Sequence, residues 1–459
     1  MTKSETVSQI DAYIEENVEH FIEQLGRLCA QPSISAQDVG IAECADLTAT
    51  MLEEAGFEAE VVPSEGHPVV LGRGEGRSEQ TLLFYLHYDV QPPEPLDLWE
   101  SPPFKLTRRG DKFYARGISD DKGHIVARLA ALAAVRHALG ELPCHVKFVI
   151  EGEEEIGSPN MAAFVEAHRE RLAADACIWE FGGVDGEGRP RQSLGMRGIC
   201  YVELAVKTAV RDAHSGLGGS VFPNAAWRLV WALNSLKNDA EDVLIEGFYD
   251  NVVGPSERDL ALLEKLPDEA SMWQEMFGLK QFLKGVEGGV AWHKQAVFEP
   301  TCTICGLESG YQGAGTKTVL PAEARAKVDF RLVPNQTPEE VVSKLRAHLD
   351  AHDFADVEVR PFSGQRPAKV HPDDPFVQLV NGAAADVYEK EMVIEPMIGG
   401  SGPLYPFVEV LDLPVAAAGI AYPGTNAHAP NENVRLDYFL KGIQHTARVI
   451  EAFGRMETH

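Results

Sequence analysis

Positive charge is scarce in this chain. Its 459 residues include 41 Lys and Arg against 70 Asp and Glu, a formal net charge of −29. Such a surface repels phosphate backbones and anionic headgroups, which disfavours both nucleic-acid binding and attachment to membrane surfaces. Cysteine is sparse as well: seven residues, an odd number, fit a reducing cytoplasm better than a disulfide-stapled exported domain. Two of them stand close together in Cys302-Thr-Ile-Cys305. An offset of three in an alternating strand pattern turns those thiols to opposite faces, which argues against a zinc or redox pair. No run is apolar for long enough to span a bilayer. The opening Met1-Thr-Lys-Ser-Glu has no basic segment followed by an apolar one, so no export signal is read there.

What is present is ordinary in bulk, with 44% hydrophobic and 24% charged residues. The length exceeds what a single core usually fills, so at least two domains are expected. Ile10, Tyr13, Ile14, Val18, Phe21, Ile22, Leu25 and Leu28 recur at helical spacing and predict one amphipathic helix, with a second over about Ala42 to Ala55. Thr81-Leu-Leu-Phe-Tyr-Leu-His87-Tyr-Asp89-Val is a nearly continuous apolar run, the pattern of a strand buried on both faces. His87 and Asp89 close it, two residues apart and on one side. The run His145 to Ile150 ends in Glu151-Gly-Glu153-Glu154-Glu155, and Ala176-Cys-Ile-Trp ends in Glu180. Three strands that finish in charge, separated by helical segments, predict a doubly wound α/β domain.

From Arg197 the texture changes to strand, helix, strand, strand, helix, strand, with a mixed insertion at about 240–299. This order predicts an inserted α+β domain of split βαβ, ferredoxin-like type at 196–380, leaving 1–195 and 381–459 to the first domain.

Between the first two charged strand ends lies Arg116-Gly-Ile-Ser-Asp120-Asp121-Lys122-Gly123, opening onto an apolar-periodic helix. Read alone, it is a helix start with Ser119 or Asp120 as N-cap. A late loop adds Thr425-Asn-Ala-His428-Ala-Pro-Asn-Glu432. His87, Asp89, Asp120, Glu154, Glu155, Glu180 and His428 together make two imidazoles and several carboxylates, a donor set suited to zinc or a similar divalent ion. Each acid alone reads as a solvated loop residue. Their recurrence at independent strand ends favours a metal site.

These motifs resemble those of the co-catalytic metallopeptidases of the aminoacylase, carboxypeptidase G and carnosinase superfamily, and most of all its cytosolic nonspecific dipeptidase and carnosinase branch. Arg197-Gly-Ile-Cys-Tyr, Asp212-Ala-His214-Ser-Gly, Gly315-Thr-Lys-Thr318-Val-Leu-Pro and Asp329-Phe-Arg331-Leu-Val-Pro also look like segments of that branch, in the right order. The resemblance implies two divalent ions per subunit, zinc first and manganese or cobalt as alternatives. It assigns His87 and Glu180 to one ion, Glu155 and His428 to the other, and Asp120 to both. Glu180 corresponds to Asp in many dipeptidases of this branch. Asp89 would orient His87, and Glu154 would act as general base and then acid. The resemblance further implies a cis peptide at Asp120–Asp121.

It implies a lid and dimerisation role for the inserted domain, with His214 stabilising the oxyanion in the partner subunit of a homodimer. Arg331 and Thr318 would hold the substrate's free α-carboxylate, and Gly400 and Ser401 would line the pocket. Pro396-Met397-Ile398 departs from the charged residues usual there, which leaves recognition of the amino end open. The implied activity is metal-dependent dipeptide hydrolysis in the cytoplasm. The alternatives are an N-acyl amino acid deacylase of the same superfamily and, more remotely, a non-catalytic metal-binding scaffold.

Overall fold

Apolar runs that end in charge become strands of a six-stranded mixed sheet. In the computed structural model, which describes residues 3–456, the sheet order is Glu58–Val62, Val69–Gly74, Cys144–Glu151, Ser78–His87, Ala176–Trp179, Val415–Ala417. The last four strands run parallel, while the first two are antiparallel to their neighbours. Leu82 to Leu86 are fully buried, as a strand covered on both faces requires. Met1 and Thr2, part of the opening scanned for an export signal, lie outside the described residues. No helix among the described residues is long and apolar enough to cross a membrane.

The helix Lys122–Leu139 packs against Lys3–Glu16, Val18–Ala30 and Leu436–Phe453. The single N-terminal helix expected from periodicity is therefore two. They part at Asn17, which closes the first helix on the Tyr13 carbonyl with both its backbone N–H, at 3.2 Å, and its side-chain amide, at 2.8 Å. The apolar period runs through the break because both helices bury the same stripe, from Ile10 and Ile14 to Phe21, Leu25 and Leu28.

The chain divides into two compact units. Unit 1 comprises the residues up to Leu194, Val370–Pro396 and everything from Pro403; unit 2 comprises Gly195–Lys369 and Met397–Gly402. The return to unit 1 thus falls at Val370 rather than 381. The helix Pro375–Tyr388 buries Phe376, Val377 and Val380 and packs on Leu436–Phe453, with the Phe376 and Phe453 rings 5.6 Å apart. Met397 instead joins unit 2, buried with Leu263 and Phe298.

Unit 2 is built on a four-stranded antiparallel sheet in the order Thr303–Ser309, Glu323–Leu332, Gly198–Lys207, Glu358–Gln365. Helices Ala225–Leu236 and Pro338–Ala351 connect these strands and bury Leu229, Ala232, Leu345 and Leu349 against Val202, Leu204, Val328 and Phe330. Both start on side-chain caps: Asn224 accepts from the Trp227 N–H and Thr337 from the Glu340 N–H, each at 3.2 Å. All seven cysteines are free thiols; Cys302 is buried and Cys305 exposed.

Candidate metal centre

The parallel strands deliver their charged residues at their carboxyl ends, where open α/β sheets place ligands. His87 is the last residue of its strand and sits opposite Glu151 of the neighbouring one. A short turn at Glu154–Ile156 follows that neighbour, and Glu180 directly follows Trp179. His87 points Nε2 at Asp120 Oδ1, 3.0 Å away, with a Glu154 oxygen and Glu180 Oε2 each at 4.0 Å. His428 points Nε2 at the other Asp120 oxygen, 2.9 Å away, and at Glu155 Oε2, 3.0 Å away. Asp120 therefore meets two groups, one of His87 with Glu154 and Glu180 equally distant from its Nε2, the other of Glu155 and His428. In the second, one donor atom from each of the three residues lies within 4.8 Å of the others.

The local backbone explains how Asp120 reaches this place. The Asp120–Asp121 peptide is cis. The helix begins at Lys122 with Asp121 in the cap position and no side-chain cap hydrogen bond, so neither Ser119 nor Asp120 caps it. Gly117 lies at φ 78°, and a Cβ there would run into Val90. A Cβ on Gly123 would run into the Ile118 carbonyl. Only glycine fits either position.

Seven acidic residues and few cations crowd this end of the sheet, and the titration behaviour follows. Burial pushes Glu154 up to about 8, with Asp120, Glu155 and Asp89 adding to the rise and His87 opposing it. Burial also lifts Glu180 well above the carboxylate range, helped by Glu154. Glu151 rises to about 8 through burial, against hydrogen bonds from Tyr85 and Ser158. Asp120 goes the other way: although burial opposes its charge, hydrogen bonds to His428 and His87 hold it low. Those bonds to Asp120 and Glu155 raise His428 to about 10.

Asp89 does more than the sequence suggests. It lies 3.3 Å from His87 Nδ1, and its carboxylate also accepts the backbone N–H groups of Glu154 and Glu155, at 3.2 and 3.0 Å. The Asp89 backbone carbonyl is closer still to His87 Nδ1, at 3.1 Å, so one buried residue orients the histidine by main chain and side chain and holds the turn carrying two glutamates by its carboxylate. Gln91, not singled out by sequence, donates from Nε2 to Glu155 Oε2 at 2.8 Å. Asp121 and His124 form a buried pair at 2.7 Å behind the site, and His124 Nε2 accepts from the Ile420 N–H. A histidine one turn into the helix was the only sequence signal for that pair.

Unit 2 holds the remaining candidates. His214 is exposed; its Nδ1 accepts the Gly216 N–H at 3.0 Å, which leaves the proton on Nε2, 3.4 Å from the Thr318 hydroxyl. Arg331 donates from Nη1 to Ser401 Oγ at 2.9 Å and lies 3.3 Å from Asp329. Gly400 accepts the Arg197 N–H through its carbonyl. Arg197 is buried and spends its guanidinium on the carbonyls of Ala296 and Glu299.

Residues 83–452 match the model for peptidase family M20/M25/M40. The chain belongs to this family. Among curated relatives it is 30% identical to the Beta-Ala-His dipeptidase of Rattus norvegicus over 62% of this chain, and spans only 58% of that relative's length. It is 28% identical to a Cys-Gly metallodipeptidase of Schizosaccharomyces pombe over 94% of this chain and 95% of the relative. Among solved structures, an M20 family metallo-carboxypeptidase from Sulfolobus solfataricus superposes with a TM-score of 0.90 at 35% identity, covering 95% of this chain and 99% of that one.

The residues of this M20 chain fit a pair of divalent ions. Imidazole nitrogens and carboxylate oxygens converge on Asp120, and Glu180 Oε2 is buried without a hydrogen-bond partner. A buried carboxylate oxygen left that way is costly unless a cation satisfies it.

Proposed function

We propose that the chain is a metal-dependent exopeptidase that hydrolyses dipeptides bearing a free C-terminal carboxylate. The observation that carries the reading is Asp120 standing between His87 and the Glu155–His428 pair, with Glu154 and Glu180 both beside His87. His87 and Glu180 would hold one ion, Glu155 and His428 the other, and Asp120 both. The donor set suits zinc first, with manganese or cobalt as further fits. Bound there, the ions would supply Lewis acidity toward the scissile carbonyl and the attacking water.

The chain's own groups do the rest. Glu154 takes the proton of the attacking water and returns it to the leaving amine nitrogen. Asp89 fixes the His87 tautomer by accepting from Nδ1 and holds Glu154 by its backbone. His214 offers an Nε2–H to the developing oxyanion. Arg331, steadied by Ser401, pairs with the substrate's α-carboxylate, with Thr318 and Gly400 at the same end.

The working form in this proposal is a homodimer in which each copy's His214 serves its partner. Supporting a second copy, unit 2 exposes stacked Trp227 and Trp231 on one helix, 58% and 55% accessible, and Ile304 and Leu307 on its edge strand.

One observation favours the N-acyl amino acid deacylase as second reading. Met397 is buried in an apolar cluster, and Pro396-Met397-Ile398 offers no charged side chain for a free amino end. Purified protein given zinc, manganese or cobalt should hydrolyse free-amine dipeptides faster than N-acetyl amino acids and faster than tripeptides. Preference for the N-acetyl compounds would establish the second reading, and inactivity on the whole panel would defeat both.

A further inference from the structure

A carboxylate that ligates nothing stands at the hub of the centre. Glu432 is fully buried and accepts four hydrogen bonds from one short stretch of chain. Its Oε2 takes Arg116 Nη1 and the Gly117 N–H, both at 2.8 Å; its Oε1 takes the N–H groups of Ser119 at 2.8 Å and Asp120 at 3.1 Å. Four converging donors match the acceptor capacity of an ionised carboxylate and leave no room for a donor in its place.

The position of Glu432 gives this arrangement its meaning. It lies four residues after His428, in a loop where Asn426, His428 and Asn431 all adopt positive φ. Asn433 knits that loop from inside, donating to the carbonyls of Gly424 and Asn431. The Ala115 N–H donates to the Glu432 carbonyl, and Asn433 pairs with Tyr114 in the adjoining strand. The loop that presents His428 is thus clipped by main chain and side chain to the loop that presents Asp120, across 312 positions of sequence. The side chains of His428 and Asp120, carried by these two loops, lie 2.9 Å apart.

We propose that Glu432 is a positioning residue that clasps the Asp120 loop to the His428 loop and thereby sets the bridging geometry for both ions. It acts through Asp120 and His428 and touches no substrate. The inference rests on the reading of the metal centre and is independent of the substrate.

Two variants separate positioning from packing. Glu432→Gln keeps the volume but turns an amide donor toward N–H groups. Glu432→Asp loses a methylene but remains acceptor-only. Zinc affinity is read by titration of chelated protein in a zinc buffer, with metal content by mass spectrometry. Loss of an outer hydrogen-bonding partner typically costs metal affinity about 10- to 100-fold, and that loss is expected for Gln, with Asp falling by less. A merely structural role predicts the reverse order, because the isosteric Gln would disturb packing less. Equal affinities, or Gln tighter than Asp, would overturn the proposal.

Native-state hydrogen exchange on wild-type protein keeps the test decisive if a variant does not fold. The amides of Gly117, Ser119 and Asp120 should be protected even in chelated protein, since the clasp needs no metal. Exchange there at open-loop rates would also overturn it. Wild type that binds two zinc ions with the expected variant order, yet hydrolyses no dipeptide, would sink the substrate reading and leave the clasp standing.

Discussion

His87 in unit 1 is 1% exposed, with both ring nitrogens committed, one toward Asp89 and the other toward Asp120. His214 in unit 2 is exposed and held by one backbone N–H and a 3.4 Å approach to Thr318. The same contrast runs through the two sets of candidates. Those of unit 1 fix one another: Asp89 carries the Glu154–Glu155 turn, and Glu432 carries the Asp120 loop. Those of unit 2 stand on regular structure: Arg331 is on a central strand, His214 lies in a two-residue strand pairing and Thr318 adjoins it. A site that must hold several like charges within a few ångströms needs mutual restraint. Groups proposed to meet a substrate need reach and a defined proton, and the few side-chain contacts of His214 and Arg331 leave both.

If that contrast is right, the most severe loss comes from Glu154→Gln. Removing the proposed proton carrier should lower kcat by roughly 10²- to 10⁴-fold while leaving two ions bound, because the proposed assignment gives Glu154 no metal to hold. Metal loss equal to activity loss would make Glu154 a ligand and merge the two roles kept apart above. Next is His214→Asn, which in the proposed mechanism removes a donor that acts only as charge develops. A fall of about 10²-fold in kcat is expected, with metal content unchanged. Mixed dimers of wild type and His214→Asn should retain about one working site, and full activity in the mixture would refute the exchange of histidines between subunits. A smaller effect, on KM rather than kcat, is expected for Arg331→Met. A charge-assisted contact to a carboxylate accounts for roughly 10- to 100-fold in KM for dipeptides. An unchanged KM would remove Arg331 from substrate recognition.

How much of this was legible in the chain follows the same division. The strand ends of unit 1 could be read because an apolar run closing on acid is a local pattern, and His87, Glu154, Glu155 and Glu180 all lie where such runs stop. The succession of strands and helices in unit 2 could be read because its caps and alternations are local too. What could not be read depends on distance or on weak pattern. Glu432 looks like one more loop acid until Ser119 and Asp120, 313 and 312 positions away, are seen donating to it. Met397 looks like a pocket residue until Leu263 and Phe298 cover it. The two antiparallel strands Glu58–Val62 and Val69–Gly74 are short, the first is an edge strand and half exposed, and neither ends in a motif.

The last expectation tests whether burial in unit 1 is costly even away from the metals. His445 is fully buried on the C-terminal helix, where its Nε2 donates to the Val380 carbonyl at 2.9 Å. Burial, against that hydrogen bond, lowers its pKa from 6.5 to about 4. The sign is fixed by which state takes the proton. Below pH 6.5 the unfolded imidazole is protonated and the folded one is not, so the stability this group contributes is complete above 6.5 and is lost as pH falls toward 4. Between pH 7 and pH 5 the loss amounts to about 2 kcal/mol. His445→Gln keeps a donor for Val380 and removes the titration. Denaturant unfolding of chelated wild type and variant at pH 7, 6 and 5 isolates the term, since every other group in the two proteins is shared. The wild-type curve should fall by about 2 kcal/mol more than the variant's over that range. Parallel curves would mean that the imidazole finds its proton inside unit 1, and that burial there is less complete than the carboxylate cluster requires.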